Sequence, residues 1–444
     1  MRRSLLAGAL VFSLGCSVLT SYPEVTAEAR RAFQEGRFQE ALLKLPPDPG
    51  GADELLFRLE RGLIAHSGGQ FEEGRLEWLA ASDVVKGYEG RPTVSMRSAL
   101  EGLASLILND KTLPYDGEGF ERVLLHAYLA LDYYFLGQTD SAFAETRVAY
   151  ETQREEEKRY ETTYHGQGAF AHYLTGLLRE TVGEWSNAYI EYRKVHEIAP
   201  GCRAARADLL RLARKLGYGD DLDRWRKDFG SEDLDPLWED PKAAEVLLLF
   251  QCGLGPIKRA IEIAIPHRDG ITKFAAPVFE PRPNPVAAAR LLVDGRPLGT
   301  TDLLEDVESV ARKNLDDRIA WVLAKASART VGKALLTRQL EERHRGWGAF
   351  LGSVFALVTE QADLRSWLTL PRNFQILRSP LAAGEHHFSI ELLAPGGNVV
   401  TSSFLGRIRV RGGERVVVNL RSVGASSFAA LVGGERIEPK ETSP

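Results

Sequence analysis

The side chains able to do chemistry in this 444-residue sequence are unevenly placed: eleven of its thirteen tyrosines lie between Tyr115 and Tyr218, beside His126, His165, His172 and His196. Aromatic rings with polar tips next to imidazoles can line a groove for a peptide, a glycan or a partner helix. On that reading Tyr133, Tyr160, Tyr164, His165, His172 and Tyr173 are the candidate partner-binding residues. The same rings at helical spacing can equally be packing knobs between helices, and that alternative stays open. Catalytic patterns are missing. There is no His-Glu-x-x-His, no Gly-x-Ser-x-Gly, no CxxC pair and no phosphate-binding Gly-rich loop, since Gly253-Leu254-Gly255-Pro256 lacks the following Lys-Ser/Thr. His386 and His387 begin a strand, where successive side chains point to opposite faces and cannot chelate one ion. His267 with Asp269 could orient a proton transfer, but no nucleophile stands near them in sequence. No His pair has zinc-like spacing with a carboxylate. The expectation is a non-enzymatic chain without cofactor or metal.

The N-terminus carries a different chemistry. Arg2 and Arg3 precede the uncharged apolar run Leu5 to Leu14, and Gly15-Cys16 follows. That is the layout of a secretory leader, with an apolar run too short to span a bilayer. The stretch Phe12-Ser13-Leu14-Gly15-Cys16 resembles the lipobox of bacterial lipoproteins, with Ser13 where Leu is usual. The resemblance implies removal of residues 1–15, lipidation of the Cys16 thiol, and a body held at the envelope membrane facing the periplasm. Ser17, in place of Asp, implies passage to the outer membrane. A plain leader cut elsewhere is the alternative. Loss of Arg2 and Arg3 moves the formal charge from −5 to about −7, with both signs interspersed, which disfavours nucleic acid as a partner. Cys202 and Cys252 are the other two cysteines; an oxidising compartment permits a disulfide between them, and two separate buried thiols are the alternative.

The elements that must position these residues fall into two halves. From Val25 to Phe229 the chain reads as paired helices, with turn glycines at Gly36, Gly69, Gly137, Gly183 and Gly217. Three of the four steps between them are one or two units of a repeat of about 34 residues. Small and bulky residues recur within the units: Gly62, Gly74 and Ala81; Ala130, Tyr133, Ala142 and Ala149; Gly176, Ala188 and Tyr192, closed by Pro200. This resembles the tetratricopeptide (TPR) family, which implies an all-α superhelix over 25–230 that binds through a concave face and stands as a separable unit. Residues 16–24 read as a tether and 231–242, rich in Pro and acid, as a linker.

The second half is mixed. Residues 243–371 read as an α/β region: an apolar strand at Ala244–Gln251, an extended Pro277–Pro285, a hairpin turn at Asp294-Gly295, and a long amphipathic helix over 304–340. Gly346–Val358 is uncharged and reads as a buried helix or a membrane-surface contact. Strands at Asn373–Arg378, His386–Leu393, Arg407–Val410, Val416–Leu420 and Ser427–Val432 suggest a small antiparallel β-sandwich over 372–433, with 434–444 disordered. Pro380–Gly384 entering a strand, and Gly412-Gly413 before Val416–Val418, resemble a PEGA-type envelope domain. The fold class expected is α+β multidomain.

The lipobox, the segment Pro114–Val123, Val307–Ala311, and Ala362–Trp367 before Leu370-Pro371 together resemble a family of uncharacterised bacterial TPR lipoproteins. The resemblance implies location and architecture, not chemistry. The function expected is a protein–protein interaction scaffold of the cell envelope, recruiting another envelope or periplasmic protein. A regulator of cell-wall synthesis of the penicillin-binding-protein activator type, and a glycan- or polysaccharide-binding lipoprotein, are the alternatives.

Overall fold

Gly36, Gly69, Gly137, Gly183 and Gly217 all take φ between 71° and 77°, a left-handed conformation that a residue with a Cβ adopts only at a cost. After each one, the next N–H closes on the carbonyl five residues back: Arg37 to Ala32 (2.9 Å), Gln70 to Ala65 (2.9 Å), Gln138 to Tyr133 (2.8 Å), Glu184 to Arg179 (2.8 Å) and Tyr218 to Ala213 (2.9 Å). This closure satisfies the last carbonyls of one helix and reverses the chain into the next. The result, in a computed structural model, is five helix hairpins behind a short α1 (Tyr22–Val25). They are α2 (Ala27–Gln34) with α3 (Phe38–Leu43), α4 (Glu54–Ser67) with α5 (Phe71–Glu89), α6 (Gly119–Phe135) with α7 (Thr139–Arg159), α8 (Ala169–Thr181) with α9 (Trp185–Ile198), and α10 (Arg203–Leu216) with α11 (Gly219–Phe229). The structure describes residues 21–89, 114–162, 168–230, 234–267, 270–319, 321 and 363–437. Cys16, Tyr164, His165, the 322–340 part of the expected long helix, Gly346–Val358 and the tail from 438 lie outside these.

A bulky residue on the second helix locks the hairpins by resting on a small one of the first. A Cβ at Gly62 would meet the Trp78 ring at 2.6 Å, and one at Gly176 would meet Tyr192 at 2.5 Å. The same sequence separation relates Ala130 to Thr146, and both are buried.

The β half supplies two sheets and an arm. β1 (Ala244–Cys252) is apolar at nearly every position, the pattern of a strand covered on both faces. It is the centre of the five-stranded sheet β11-β10-β1-β7-β6, formed with β6 (Asp302–Glu305), β7 (Asn373–Leu381), β10 (Arg415–Val423) and β11 (Ser426–Val432). β1 runs parallel to β10 and antiparallel to β7. A second five-stranded sheet has the order β12-β9-β8-β4-β5, from β4 (Ala288–Val293), β5 (Arg296–Thr300), β8 (Gly384–Leu393), β9 (Val399–Val410) and β12 (Glu435–Ile437). β2 (Ile257–His267) and β3 (Gly270–Glu280) pair as a separate two-stranded arm.

Side-chain alternation makes the first sheet the middle of three layers. Val246, Leu248 and Phe250 of β1 and Val416, Val418 and Leu420 of β10 pack with Phe388, Ile390 and Leu392 of the second sheet. Leu247, Leu249 and Val417, with Phe374 and Ile376 of β7, point the other way and share one core with Tyr128, Phe170, Leu174 and Trp367. The molecule is therefore α+β, with helices stacked on a sandwich.

Several sequence-based boundaries change as a result. The sandwich is not confined to 372–433, because β1 and β6 complete one sheet and β4 and β5 the other. The division at 371 cuts through both sheets. The helical half is not a separable unit, since its inner face and β1, β7 and β10 form one core. The tether ends early: Tyr22 is buried and Ser21 forms a capping box with Glu24. The linker is docked, with a 3₁₀ turn at Pro236–Glu239 that lays Trp238 beside Arg211 and Arg378. Leu304 lies in β6, and the expected long helix begins at 307 and is described as far as 319, with residue 321 also helical. β12 pairs with β9 in the segment expected to be disordered.

Two glycines should respond oppositely to alanine. Gly176→Ala drives a methyl into Tyr192 and should cost about 1–3 kcal/mol. Gly87, inside α5 with open space around it, should gain up to about 1 kcal/mol from Gly87→Ala through helix propensity. Denaturant unfolding of both variants checks the pair.

Candidate functional site

The inner face of the helix array, where a binding groove was expected, is filled by the chain's own middle sheet. Phe170 of α8 stacks on Phe374 of β7 with centroids 4.2 Å apart and planes 7° from parallel. Tyr128 of α6 leans on Phe374 (5.7 Å) and Trp367 (5.8 Å), and Trp78 of α5 stacks behind it (5.3 Å).

A buried polar chain runs through this aromatic layer. The Tyr128 hydroxyl donates to Gln251 Oε1 (2.8 Å), and Gln251 Nε2 donates to Asn419 Oδ1 (2.9 Å). The amides of Gln251 (2.8 Å) and Asn419 (3.1 Å) both address His66 Nε2. That nitrogen therefore accepts, which leaves the ring proton on Nδ1, donated to Asp132 Oδ1 at 2.5 Å. Trp78 Nε1 donates to the other Asp132 oxygen (2.8 Å). Burial pushes the Asp132 carboxyl above its ordinary range, opposed by His66. A His–Asp pair is a component of acid–base catalysis, but here the second imidazole nitrogen is spent on two amides. A void of about 10 Å³ in the same core, lined by Leu131, Phe135, Phe170 and Leu247 among others, has room for no more than about one water and none of the network's side chains lines it. The pair aligns helices against strands.

A second buried cluster is ionic. Arg378 of β7 donates to Glu180 (2.8 Å), Asp208 (2.8 Å), the Tyr192 hydroxyl (3.1 Å) and Glu245 (2.8 Å). Arg211 bonds Glu180 (2.7 Å) and Asp208 (2.8 Å), and Arg415 bonds Glu245 (2.5 Å). Three guanidiniums thus face three carboxylates. Burial alone would raise Glu245, yet Arg378 and Arg415 hold it at about 2. Glu180 is likewise held well below its ordinary value against burial by Arg378 and Arg211.

Two further buried carboxylates have no such cation in contact among the described residues. Glu305 at the end of β6 accepts from the backbone N–H groups of Gly168 (3.2 Å) and Phe170 (2.9 Å), at the first turn of α8. Burial pushes it up to about 7. Glu121 accepts from Trp367 N (2.7 Å) and from the Tyr115 hydroxyl, and burial, then the charge of Glu118, pushes it up to about 7.

The four sequence-derived candidates among the described residues do not converge. Tyr133 is buried with the Arg75 guanidinium 5.7 Å from its ring. Tyr160 sits at the end of α7, edge-on to Trp321 (5.7 Å). His172 stacks on Tyr150 (4.5 Å) and bonds Glu191 (2.6 Å). Tyr173 is buried in the ionic cluster, donating to Asp208 (2.7 Å). These rings pack the array; they do not line a shared groove. The disulfide is not formed: Cys202 is a free thiol at the start of α10, and Cys252 is a free thiol in the sandwich core, approached by Asn284 Nδ2 at 3.2 Å. His386 and the His387 N–H both bond Asp294 in the β4–β5 turn (2.7 and 2.9 Å), a structural tie. Sequence reasoning missed His66, Asp132, Gln251, Asn419 and Arg378. The signal was available for three: Gln251, Asn419 and Arg378 directly follow the apolar runs Val246–Phe250, Val416–Val418 and Ile376-Leu377 in largely buried strands.

An open concavity lies on the surface of the described residues. It is a cleft of about 480 Å³ between the β2–β3 arm and the helix over 307–319, lined by Arg259, Ile261, Val278, Phe279, Arg312 and Asp316 among others. Ile261 is exposed at its edge. No cluster of metal-ligating side chains occurs among the described residues. No helix among them is long and apolar enough to cross a membrane.

No family model matches the chain, and no curated protein matches it. Solved structures similar to it include MamA AMB-1 (13% identity, 47% of this chain and 92% of that one, TM-score 0.30). The Rap conjugation gene regulator of the plasmid pLS20 in complex with the Phr* peptide shares 13% identity over 51% of this chain and 60% of its own, with TM-score 0.29. BtubC (BKLC) from P. vanneervenii shares 12% over 49% and 95%, with TM-score 0.30. The helix-hairpin repeat described above rests on this chain's own turns and knobs, not on these likenesses.

Glu305 gives stability a definite pH sign. Its folded value of about 7 lies above the ordinary 4.5, so between those values the folded state keeps a proton that the unfolded state has lost. Stability from this group therefore falls as pH rises from about 4.5 to 7. Glu305→Gln removes the titration, and relative to wild type the variant should gain on the order of 1–3 kcal/mol between pH 5 and pH 8. Equal pH slopes in denaturant unfolding of the two proteins would contradict the assignment.

Proposed function

We propose that this chain is a bacterial envelope lipoprotein, anchored through a lipid on Cys16 with its body in the periplasm at the outer membrane, and that it works without catalysis as a protein–protein interaction scaffold. The observation that carries the scaffold reading is the structural commitment of three buried polar clusters. His66–Asp132, Arg378–Glu180–Asp208–Glu245 and Glu305 are all committed to holding helices against strands. With the inner face covered in cis, a surface open to a partner is the cleft beside the β2–β3 arm, where Ile261 offers exposed apolar contact between Arg259 and Arg312. Such a cleft suits a segment of another periplasmic protein, with aromatic and apolar anchors inside a charged rim.

The leader and lipobox support the anchor, and they fix its test. Cys16→Ser should abolish labelling by radioactive palmitate and release the chain from the membrane pellet; membrane retention of the variant would contradict the anchor. For the scaffold, a photo-crosslinking residue at Ile261 should give a discrete protein adduct in intact cells. The same residue at Leu76, exposed on α5, should not. Indistinguishable adduct patterns at the two positions would remove the cleft as the partner site.

A further inference from the structure

We infer that the open end of the α2–α3 hairpin is the surface of this protein that lies against the lipid bilayer, with Val25 and Leu43 inserted among the headgroups. The inference rests on the lipid-anchor reading. It adds which face meets the membrane.

The entry of the chain into the folded body is fixed. The Ser21 N–H bonds Glu24 Oε2 (2.7 Å), the Thr26 hydroxyl bonds the Tyr22 carbonyl (3.0 Å), and Tyr22 is 4% exposed with its ring edge-on to Phe57 at 5.4 Å. Only five peptide steps separate Ser21 from Cys16, and a fully extended chain covers at most about 3.6 Å per residue, so the lipidated residue stays within about 18 Å of Ser21. A compact chain of this length is about 55 Å across. A tether that short cannot present the far side of the body to the bilayer.

The surface at that entry has the composition a bilayer contact needs. Leu43 is 85% exposed, the most exposed large apolar side chain among the described residues, and Val25 is 49% exposed. They lie at the same end of the hairpin, opposite its Gly36 turn: Val25 precedes α2, Leu43 ends α3, and Lys44 spans the two helices to Glu28 (3.0 Å). Neither side chain supports a core, since the core of this hairpin is made by Ala29, Ala32, Phe33, Ala41 and Leu45. Isolated apolar side chains on a rim of charged ones, held at the end of a short lipid tether, match a shallow interfacial contact.

The test uses the lipidated full chain, reconstituted into phosphatidylethanolamine–phosphatidylglycerol vesicles with brominated acyl chains. An environment-sensitive fluorophore is placed singly at Val25→Cys, Leu43→Cys, Ile190→Cys or Phe404→Cys. The last two are also exposed apolar positions, on α9 and β9. Cys202 and Cys252 are buried. Quenching at 25 and 43 should exceed that at 190 and 404 at least twofold. Equal quenching at all four positions in vesicle-bound protein would overturn the orientation while leaving the anchor intact. Absence of lipid on Cys16 by mass spectrometry would overturn the anchor, and this inference with it.

Discussion

The middle sheet has two apolar faces, and neither can meet water. Val246, Leu248 and Phe250 point from β1 into the sandwich, while Leu247 and Leu249 point into the helix array. Burying one such side chain fully is worth roughly 1.5–3 kcal/mol, so leaving either face bare would expose many times that cost. The arrangement of the rest follows. The second sheet must cover one face, and the concave side of the helix hairpins must cover the other. An array that alone would offer a concave surface to a ligand is here closed by the strand that follows it in sequence.

Closing that interface buries polar groups, and those that project from the middle sheet meet partners on the helices. Gln251 and Asn419 project from strands toward the helices and are met by His66 and Tyr128; Arg378 projects likewise and meets Glu180 and Asp208. Arg421 is buried, its two terminal nitrogens donate to carbonyls of Gln251, Gly253, Ser422 and Thr369, and burial lowers its guanidinium to about 10. Such clusters add little net stability compared with apolar packing, but breaking one side of a buried pair is costly. They restrict the docking to a single register, because a shift of one residue would leave Arg378 or Gln251 facing an apolar partner.

Much of the architecture was legible in sequence because it is local. The turn glycines, the knob Tyr192 with the small Gly176, and the strands from Asn373 onward follow from residue type and period within a few turns of chain. The composition of the sandwich was not, because β1 pairs with β7 and β10 across more than a hundred residues, and no periodicity records which strands become neighbours. The tyrosine cluster misled for a related reason. A ring at helical spacing looks the same in sequence whether it faces solvent, a ligand or a sheet. The evidence against an open groove lay elsewhere, in the apolar run Val246–Phe250 of β1, which required covering on both faces. A polar residue directly after such a run, as at Gln251 and Asn419, was the readable sign of the buried networks.

Native-state hydrogen exchange measures the shared core most directly, since it reports the free energy at which each segment opens. If helices and middle sheet are one cooperative unit, the slowest amides of α6 and α8 and those of β1, β7 and β10 should exchange through the same global opening. They should then have equal opening free energies and equal dependence on denaturant. Helical amides that open at a distinctly different free energy from the strands would show two independent halves, and would contradict the account.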